Sequence, residues 1–568
     1  MADGKDNAGK SEDAGEVASR AAEGMLGPNP FIGLRPQDIL GTVGNIGGQA
    51  LKQPMLVLEQ EAALTRELIS VLSGNAEIAP PSGDRRFQDA AWKDNPFYRM
   101  AVQGYLAWSS SLSRFVDKSG LDELGKKRAQ FVVSLLTDAL SPTNTLLGNP
   151  AALKRVIDSG GGSLLEGCKN LLADLTANRG MPAQVDRTAF QLGKNLALSP
   201  GAVVFRNSVL ELIQYAPATA EVYARPHIIV PPQINKFYVF DLSPGKSFVE
   251  YLLKNGFQVF VVSWRNPTAA QSDWDMDTYV AALLAAIAAV RDITGAADVN
   301  LHGACSGAMT VAALLGHLAA VRQRLVHATT LMVAVLGATT ESLLGLFATP
   351  QTIAAAKQNS RLRGVVEGDE IGRVFTWMRP NDLVWNYWVN NYLMGNQPPV
   401  FDILYWNSDT TRLPAKFHSQ LIDIFVGNQF RQPGALEILG TPINLSEVDC
   451  DKYVVAGITD HITPWKGVFG TARAFGGKTD FILTSSGHIQ SLINPPGNPK
   501  AKFFLNPDLP ESPEDWLAAA REKPGSWWEH WRDWLAAHSG EMRAAPASLG
   551  NERHQPGAAA PGSYVTEP

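Results

Sequence analysis

The residues Val299-Asn300-Leu301-His302-Gly303-Ala304-Cys305-Ser306-Gly307 pass from a short apolar run into a tight turn, and a helix-like stretch follows over 308–321. Glycine lies two residues before and two residues after Cys305, where a larger side chain would collide with the turn. The helix N-terminus behind the turn favours a thiolate and offers backbone N–H groups to an oxyanion. The pattern therefore predicts that Cys305 is a nucleophile.

A strand, a G-x-nucleophile-x-G turn and a helix together form the nucleophile elbow of the α/β-hydrolase fold. In that fold an acid and a histidine follow the nucleophile, each at the carboxyl end of a later strand. Here Asp460 follows the apolar run 453–456, and His488 follows the run 481–484. We therefore predict that Cys305 is the nucleophile, Asp460 the orienting acid and His488 the base.

The oxyanion formed during acyl transfer needs backbone N–H donors. We assign one donor to the amide of Ser306, in the elbow that Gly303 and Gly307 enclose. The second donor should come from the loop after an early strand, around Pro231-Pro232-Gln233-Ile234. This makes Ile234 the candidate for the second position.

The other histidines and cysteines near these motifs are interpreted as structural. His461 is the alternative base, but its place beside Asp460 favours an ion pair or a surface role. His302 precedes the elbow within the strand and is assigned to the core. Cys168 and Cys450 are packing or surface thiols, and the spacing of the cysteines fits neither a metal site nor a disulfide framework.

Composition narrows the class of protein further. The 568 residues include 49 basic and 55 acidic side chains, a net charge of −6, which argues against nucleic-acid binding. Only three cysteines occur, which fits a reducing compartment. No run of 18 or more apolar residues is present, so we expect a cytoplasmic protein without a membrane span.

Periodicity divides the chain into parts. Before residue 200 the apolar spacing predicts helices over 55–72, 97–116 and 121–140. After about residue 225 short apolar runs alternate with helical segments, which predicts a parallel sheet with helical crossovers. The runs predicted as strands are 238–241, 257–262, 299–302, 330–335, 453–456 and 481–484. We predict an α/β-hydrolase fold with an inserted lid subdomain and a helical N-terminal domain.

The predicted parts are a disordered leader (1–27), the helical domain (28–200), the first part of the hydrolase core (201–337), the inserted lid (338–449), the second part of the core (450–542) and a disordered tail (543–568). The insert is too long for a loop of a compact domain. Nine of its aromatic residues fall between 375 and 406: Phe375, Trp377, Trp385, Tyr387, Trp388, Tyr392, Phe401, Tyr405 and Trp406. They favour a mobile apolar lid over the active site. The alternative is that these rings form the core of the insert itself.

Two helices are predicted between residues 512 and 540. Trp527, Trp531 and Trp534 lie at i, i+4 and i+7, on one face of the second helix. We expect this face to dock on the catalytic domain, with contact to a partner or an apolar polymer surface as the alternative. The Ala-, Pro- and Gly-rich residues that follow are the basis for the predicted disordered tail.

Taken with these motifs, the chain resembles the polyhydroxyalkanoate synthases. The matching segments are Gly303-Ala304-Cys305-Ser306-Gly307, Pro231-Pro232-Gln233-Ile234-Asn235-Lys236, Asp460-His461-Ile462-Thr463-Pro464-Trp465, Ser486-Gly487-His488-Ile489 and the tail Gly562-Ser563-Tyr564-Val565. The resemblance extends from about residue 28 to 568. Length and tail are most similar to the class II enzymes, which act on medium-chain monomers without a second subunit.

The resemblance implies polymerisation of (R)-3-hydroxyacyl-CoA into polyester with release of CoA. It implies no cofactor, work at the surface of cytoplasmic granules, and a homodimer. The chemistry of Cys305 agrees, because a thiolate exchanges with a thioester at nearly equal energy. Two alternatives stay open: a cysteine-nucleophile hydrolase or acyl-CoA thioesterase, and a granule-coating protein without catalysis.

Overall fold

The computed structural model describes residues 36–337 and 345–568, which fall into two compact units. The described part of the first unit contains residues 36–186 and 375–400, and that of the second contains 187–337, 345–374 and 401–568. The predicted leader, residues 1–27, lies outside the described residues.

The first unit is helical, as predicted. Its α-helices are Pro36–Lys52, Pro54–Leu72, Ala91–Asp94, Pro96–Lys118, Glu123–Ala139, Pro150–Asp158 and Gly162–Ala177. The long helix Pro96–Lys118 begins with proline at its first position, and the Asn95 side chain accepts a hydrogen bond from the amide of Phe97 at 2.9 Å. Such a cap satisfies an amide that has no partner within the helix.

The aromatic segment of the predicted insert divides between the two units. Residues 375–400 belong to the helical unit, where they form π-helical turns at Asn381–Trp385 and Trp388–Leu393. The Trp388 indole donates to the carbonyl of Asn144 at 3.1 Å, and the Tyr392 hydroxyl donates to Asp174 at 2.7 Å. The grouping therefore differs from a single subdomain over 338–449, because these rings pack on helices distant in sequence.

The second unit contains all the strands of the described residues. They are β1 Gly201–Arg206, β2 Leu210–Tyr215, β3 Glu221–Tyr223, β4 His227–Val230, β5 Val259–Trp264, β6 Val299–Ala304, β7 Val326–Met332, β8 Val365–Val366, β9 Leu413–Pro414, β10 Glu437–Ile438, β11 Thr441–Pro442, β12 Asp451–Gly457, β13 Thr479–Thr484, β14 Lys502–Leu505, β15 Arg521–Pro524 and β16 Met542–Ala544.

Ten of these strands form one sheet in the order β1-β2-β5-β4-β6-β7-β12-β13-β14-β15. Six neighbouring strands in the middle of the sheet are parallel: β5, β4, β6, β7, β12 and β13. Antiparallel pairs complete both edges. Central strands such as β5 and β6 are buried along their whole length, as a sheet covered on both faces requires. Because the carboxyl ends of parallel strands meet at one edge, β6, β12 and β13 bring the three predicted catalytic segments together.

Helices connect these strands and cover the sheet. After residue 240 the α-helices are Phe248–Lys254, Met276–Thr294, Ser306–Ala320, Pro350–Arg363, Gly368–Trp377, Asp402–Ser408, Ala415–Gly427, Trp465–Ala472, His488–Leu492, Pro513–Ala519 and Trp527–Ala537. Trp527 and Trp531 are fully buried, and the Trp531 indole donates to the Thr330 hydroxyl at 2.9 Å. The predicted docking of this helix on the catalytic domain is confirmed. Across the described ranges, no helix combines the length and the apolar character needed to span a bilayer.

One predicted strand is a helix. Residues 238–241 lie in the 3-10 helix Phe237–Asp241, whose side chains are all buried. A short, continuous apolar run indicates burial but does not distinguish a strand from a helical turn. Five strands of the large sheet are not predicted from the sequence: β1, β2, β4, β14 and β15.

The tail is ordered, which corrects the prediction of disorder for 543–568. The amide of Val203 in β1 donates to the carbonyl of Ala558, and the amide of Gly557 donates to the carbonyl of Val203, each at 2.8 Å. The buried carboxylate of Glu211 in β2 accepts the amides of Ser563 and Tyr564 at 2.9 and 3.0 Å. Composition does not predict the order of this segment, because its main contacts are made by backbone N–H and C=O groups. Every residue except proline carries both of these groups.

Candidate active site

The elbow has the geometry that the glycines predict. Cys305 has φ 49° and ψ −122°, an uncommon region for a residue with a Cβ, between the end of β6 and the helix Ser306–Ala320. A Cβ at Gly307 would lie 2.4 Å from the carbonyl oxygen of Pro231, and one at Gly303 would lie 2.6 Å from the Cα of Ala308. Both contacts are shorter than real Cβ atoms make with backbone, so only glycine fits.

Asp460 and His488 meet beyond the ends of their strands. β12 ends at Gly457 and β13 ends at Thr484, and both side chains are buried. The distance between Nδ1 of His488 and a carboxylate oxygen of Asp460 is 2.7 Å. The hydrogen bond orients the imidazole and leaves its Nε2 for the nucleophile, as in a nucleophile–histidine–acid triad.

The turn after Asp460 holds its carboxylate. One carboxylate oxygen accepts the amides of Ile462 and Thr463, each at 2.9 Å, and the other accepts the Thr463 hydroxyl at 2.6 Å. The Thr463 hydroxyl also lies 3.1 Å from Nδ1 of His488. Thr463 was not predicted as a site residue, although threonine three residues after an aspartate that follows a strand is a turn signal.

The electrostatics of the pair follow from burial and charge. Burial alone would lower the pKa of His488, but the Asp460 carboxylate raises it, and a hydrogen bond to Cys305 raises it further, to about 10. Burial alone would raise the pKa of Asp460, yet His488 and Thr463 hold it below its usual value. An imidazolium at neutral pH suits a thiolate partner, because the two charges stabilise each other.

The loop after β4 packs against the elbow, where the second oxyanion donor was predicted. The amide of Gln233 donates to the Ser306 hydroxyl at 3.0 Å, and its side-chain nitrogen donates to the Thr310 hydroxyl at 2.8 Å. Within the described part of the chain the amide of Ile234 has no hydrogen-bond acceptor. The Gln233 amide is therefore occupied, and Ile234 stays the candidate donor.

Two family models and several known proteins match this chain. A family model described as "Poly-beta-hydroxybutyrate polymerase (PhaC) N-terminus" matches residues 83–252, and one described as "alpha/beta hydrolase fold" matches residues 226–495. "Poly(3-hydroxyalkanoate) polymerase 1" of Ectopseudomonas oleovorans is 52% identical over 97% of this chain and 99% of its own. The chain belongs to the poly(3-hydroxyalkanoate) polymerase family.

Two further polymerases support the assignment. "Poly(3-hydroxyalkanoate) polymerase 2" of Ectopseudomonas oleovorans is 49% identical and covers 98% of this chain and 99% of its own. "Poly(3-hydroxyalkanoate) polymerase subunit PhaC" of Cupriavidus necator is 40% identical over 87% of this chain and 85% of its own. Both matches extend over the helical unit as well as the sheet, so the family likeness is not confined to the hydrolase fold.

The other histidines and cysteines considered as site residues have surroundings that differ from those of Cys305, Asp460 and His488. His461 is half-buried, and His488 rather than His461 makes the hydrogen bond to Asp460. His302 is fully buried among aromatic rings, and burial lowers its pKa well below the usual value. Burial raises the pKa of the Cys450 thiol to about 11, which disfavours its thiolate at neutral pH. Cys305 alone among the three thiols lies in an elbow next to a histidine.

Proposed function

We propose that the protein polymerises (R)-3-hydroxyacyl-CoA into a polyester and releases CoA, with Cys305, His488 and Asp460 as its catalytic residues. The observation that carries the proposal is the buried His488–Asp460 pair beside a cysteine in a nucleophile elbow, in a chain of the poly(3-hydroxyalkanoate) polymerase family.

In the first half of the proposed cycle the Cys305 thiolate attacks the carbonyl carbon of the thioester. Backbone N–H groups of Ser306 and Ile234 stabilise the oxyanion of the tetrahedral intermediate. The carbon–sulfur bond to CoA then breaks, CoA leaves as a thiol with a proton from His488, and the acyl group stays on Cys305. The cycle needs no cofactor, since CoA enters and leaves with the substrate.

In the second half a hydroxyl group attacks the acyl-Cys305 thioester. His488 accepts the hydroxyl proton, while Asp460 holds the imidazole through its 2.7 Å hydrogen bond. An ester bond forms and the Cys305 sulfur is released for the next acylation. A thioesterase would use water at this step, so the product distinguishes the two reactions.

The decisive assay supplies (R)-3-hydroxyacyl-CoA and measures both CoA and the acyl product. We expect CoA release with solvent-extractable polyester as the main product. Free 3-hydroxy acid equal in amount to the released CoA would instead identify a thioesterase. (R)-3-Hydroxyacyl-CoA incubated without the protein serves as the control for non-enzymatic hydrolysis and condensation.

Three finer features belong to the proposal. We propose a preference for medium-chain monomers. The test is the rate of CoA release with acyl chains of about four to twelve carbons, which should be highest above the shortest chain lengths. We propose a homodimer, tested by light scattering of the purified protein. We also propose a cytoplasmic enzyme bound to polymer granules, tested by its sedimentation with isolated granules.

A further inference from the structure

Residues 406–412 contact the loop after β4 through several hydrogen bonds. The Trp406 indole donates to the carbonyl of Lys236 at 2.7 Å. Asp409 accepts a charged hydrogen bond from the Lys236 ammonium and another from the Tyr238 hydroxyl, each at 2.9 Å. We call residues 406–412 the loop clamp, because they hold the backbone and side chains of residues 233–238.

Thr411 makes the contacts nearest the predicted oxyanion donor. Its hydroxyl donates to the carbonyl of Gln233 at 2.5 Å, and its amide donates to the carbonyl of Ile234 at 3.1 Å. Thr411 is buried, with 4% of its surface exposed, so these bonds are shielded from water. A short antiparallel bridge between Asn235 and Thr410 continues the pairing.

The planarity of the peptide bond makes one of these contacts directional. The carbonyl of Gln233 and the amide of Ile234 belong to one trans peptide unit, in which oxygen and hydrogen point to opposite sides. The Thr411 hydroxyl holds the oxygen, and the amide hydrogen therefore points away from Thr411. On the other side of the loop, Gln233 is bonded to Ser306 of the elbow at 3.0 Å.

We propose that Thr411 is a positioning residue for the reaction: its hydroxyl holds the Gln233–Ile234 peptide so that the Ile234 amide is presented to the oxyanion. The inference rests on the proposed function for its role in catalysis, but it applies to any acyl donor that forms a tetrahedral intermediate on Cys305. Thr411 itself touches neither substrate nor nucleophile in this role.

The test separates acylation from thiol reactivity. Alkylation of Cys305 by iodoacetamide passes through no oxyanion, so it reports the thiolate and His488 alone. Acylation by p-nitrophenyl butyrate requires the oxyanion donors. In Thr411→Val we expect acylation, followed as the burst of p-nitrophenol, to fall about 10- to 100-fold, because a donor is misplaced rather than removed. Alkylation should stay within about twofold of the wild-type rate, since Cys305 keeps its base.

Two variants serve as controls. Thr411→Ser keeps the hydroxyl and should restore most of the acylation rate. Thr352→Val removes a hydroxyl that is equally buried and also donates to a backbone carbonyl, that of Phe347 at 2.8 Å, so it should leave both rates unchanged. Should Thr411→Val fail to fold, Thr411→Ala removes the same hydroxyl and leaves room for water.

The outcomes are distinct. Unchanged acylation in folded Thr411→Val, or an equal loss of acylation and alkylation, would overturn the positioning role. The loss should appear in kcat with KM unchanged, because the oxyanion forms only in the transition state. If wild-type protein yields free acid rather than polyester, the proposed function fails, while the Thr411 comparison with p-nitrophenyl butyrate keeps its meaning.

Discussion

The edge of the sheet that carries Cys305 and the aromatic segment that carries Trp388 are stabilised in opposite ways. At the edge, backbone geometry sets each side chain: a strained residue at the elbow, a turn that binds a carboxylate, and a histidine at the start of a helix. In the aromatic segment, side chains pack on one another, as Trp388 does against Tyr392 with ring centres 5.2 Å apart. They also contact helices far away in sequence, as Tyr392 does through its hydrogen bond to Asp174.

This difference predicts different responses to substitution. A side chain held by backbone geometry is replaceable without loss of the fold, so its removal tests chemistry in a protein that still folds. A side chain that forms the packing is not, and its removal tests stability first.

Cys305→Ala should abolish CoA release and leave the fold intact, because Gly303 and Gly307 rather than the thiol allow the tight turn. Cys305→Ser should also be nearly inactive, since a hydroxyl needs a stronger base. The measurement is CoA release together with circular dichroism of each variant. Substantial turnover in a correctly folded Cys305→Ala protein would place the nucleophile elsewhere.

His488→Gln should lower the rate about 10²- to 10⁴-fold, as expected for loss of a general base. His461→Gln should change it little, because His488 makes the 2.7 Å bond to Asp460 and His461 does not. The measurement is the acylation rate of each variant, and equal thermal midpoints show that both variants are folded. Equal losses in both would contradict the assignment of His488 as the base.

The His488–Asp460 pair should also appear in the pH dependence of stability. The pKa of His488 is raised from 6.5 to about 10 in the folded protein, so its contribution is complete below pH 6.5 and is lost as the pH rises towards 10. The pKa of Asp460 is lowered, so its contribution is lost as the pH falls in the acid range. The urea midpoint of wild type should therefore exceed that of Asp460→Asn most between the two ranges, near pH 6.

A difference between the two midpoints that stays constant from pH 6 to pH 10 would mean that the histidine is not held in its charged form. The control is Asp449→Asn, which changes an exposed carboxylate just before the start of β12, whereas Asp460 follows the end of that strand. It should leave the pH dependence of the wild-type midpoint unaltered.

The contrast between the two regions also explains what could be predicted from sequence. Cys305, Asp460 and His488 follow strands whose ends meet at one edge, so the order of motifs predicts the site before any distance is known. Thr463 binds the carboxylate of Asp460, three residues before it, which is a local turn pattern that the sequence carries. Thr411 binds the carbonyl of Gln233, 178 residues away, and no local pattern indicates which group it will bind. Long-range pairing of this second kind is decided by tertiary structure.

The aromatic segment shows the same limit. High aromatic density correctly indicates burial. It does not indicate which helices the rings will pack against, because that depends on tertiary structure. Residues 375–400 join helices such as Gly162–Ala177, more than two hundred residues earlier, with Tyr392 bound to Asp174. For the tail the prediction is wrong in the opposite sense, because it underestimates burial. Tyr564 and Val565 are buried although the composition around them is typical of disorder.

Trp388 is the sharpest test of the aromatic segment, because the predicted lid and the observed packing lead to different results. Its indole donates to the carbonyl of Asn144 and its ring contacts Trp385 and Tyr392. Trp388→Phe removes the donor but keeps most of the ring, and should destabilise the helical unit by about 1–3 kcal/mol, the cost of an unsatisfied buried carbonyl. Acylation of Cys305 by a short substrate should stay within about twofold in the folded variant.

The measurement is limited proteolysis of the helical unit alongside a progress curve of CoA release with and without added primer. Faster cleavage with an unchanged progress curve is the result expected if these rings serve as core. A lag in CoA release that Trp388→Phe shortens or lengthens, at unchanged resistance to protease, would instead restore the gating role that the aromatic density first suggested. Trp406→Phe makes the comparison complete, because Trp406 lies in the sheet unit and its indole holds the carbonyl of Lys236 beside the oxyanion loop. That substitution should slow acylation itself, so the two tryptophans, eighteen residues apart in one aromatic run, should separate stability from chemistry.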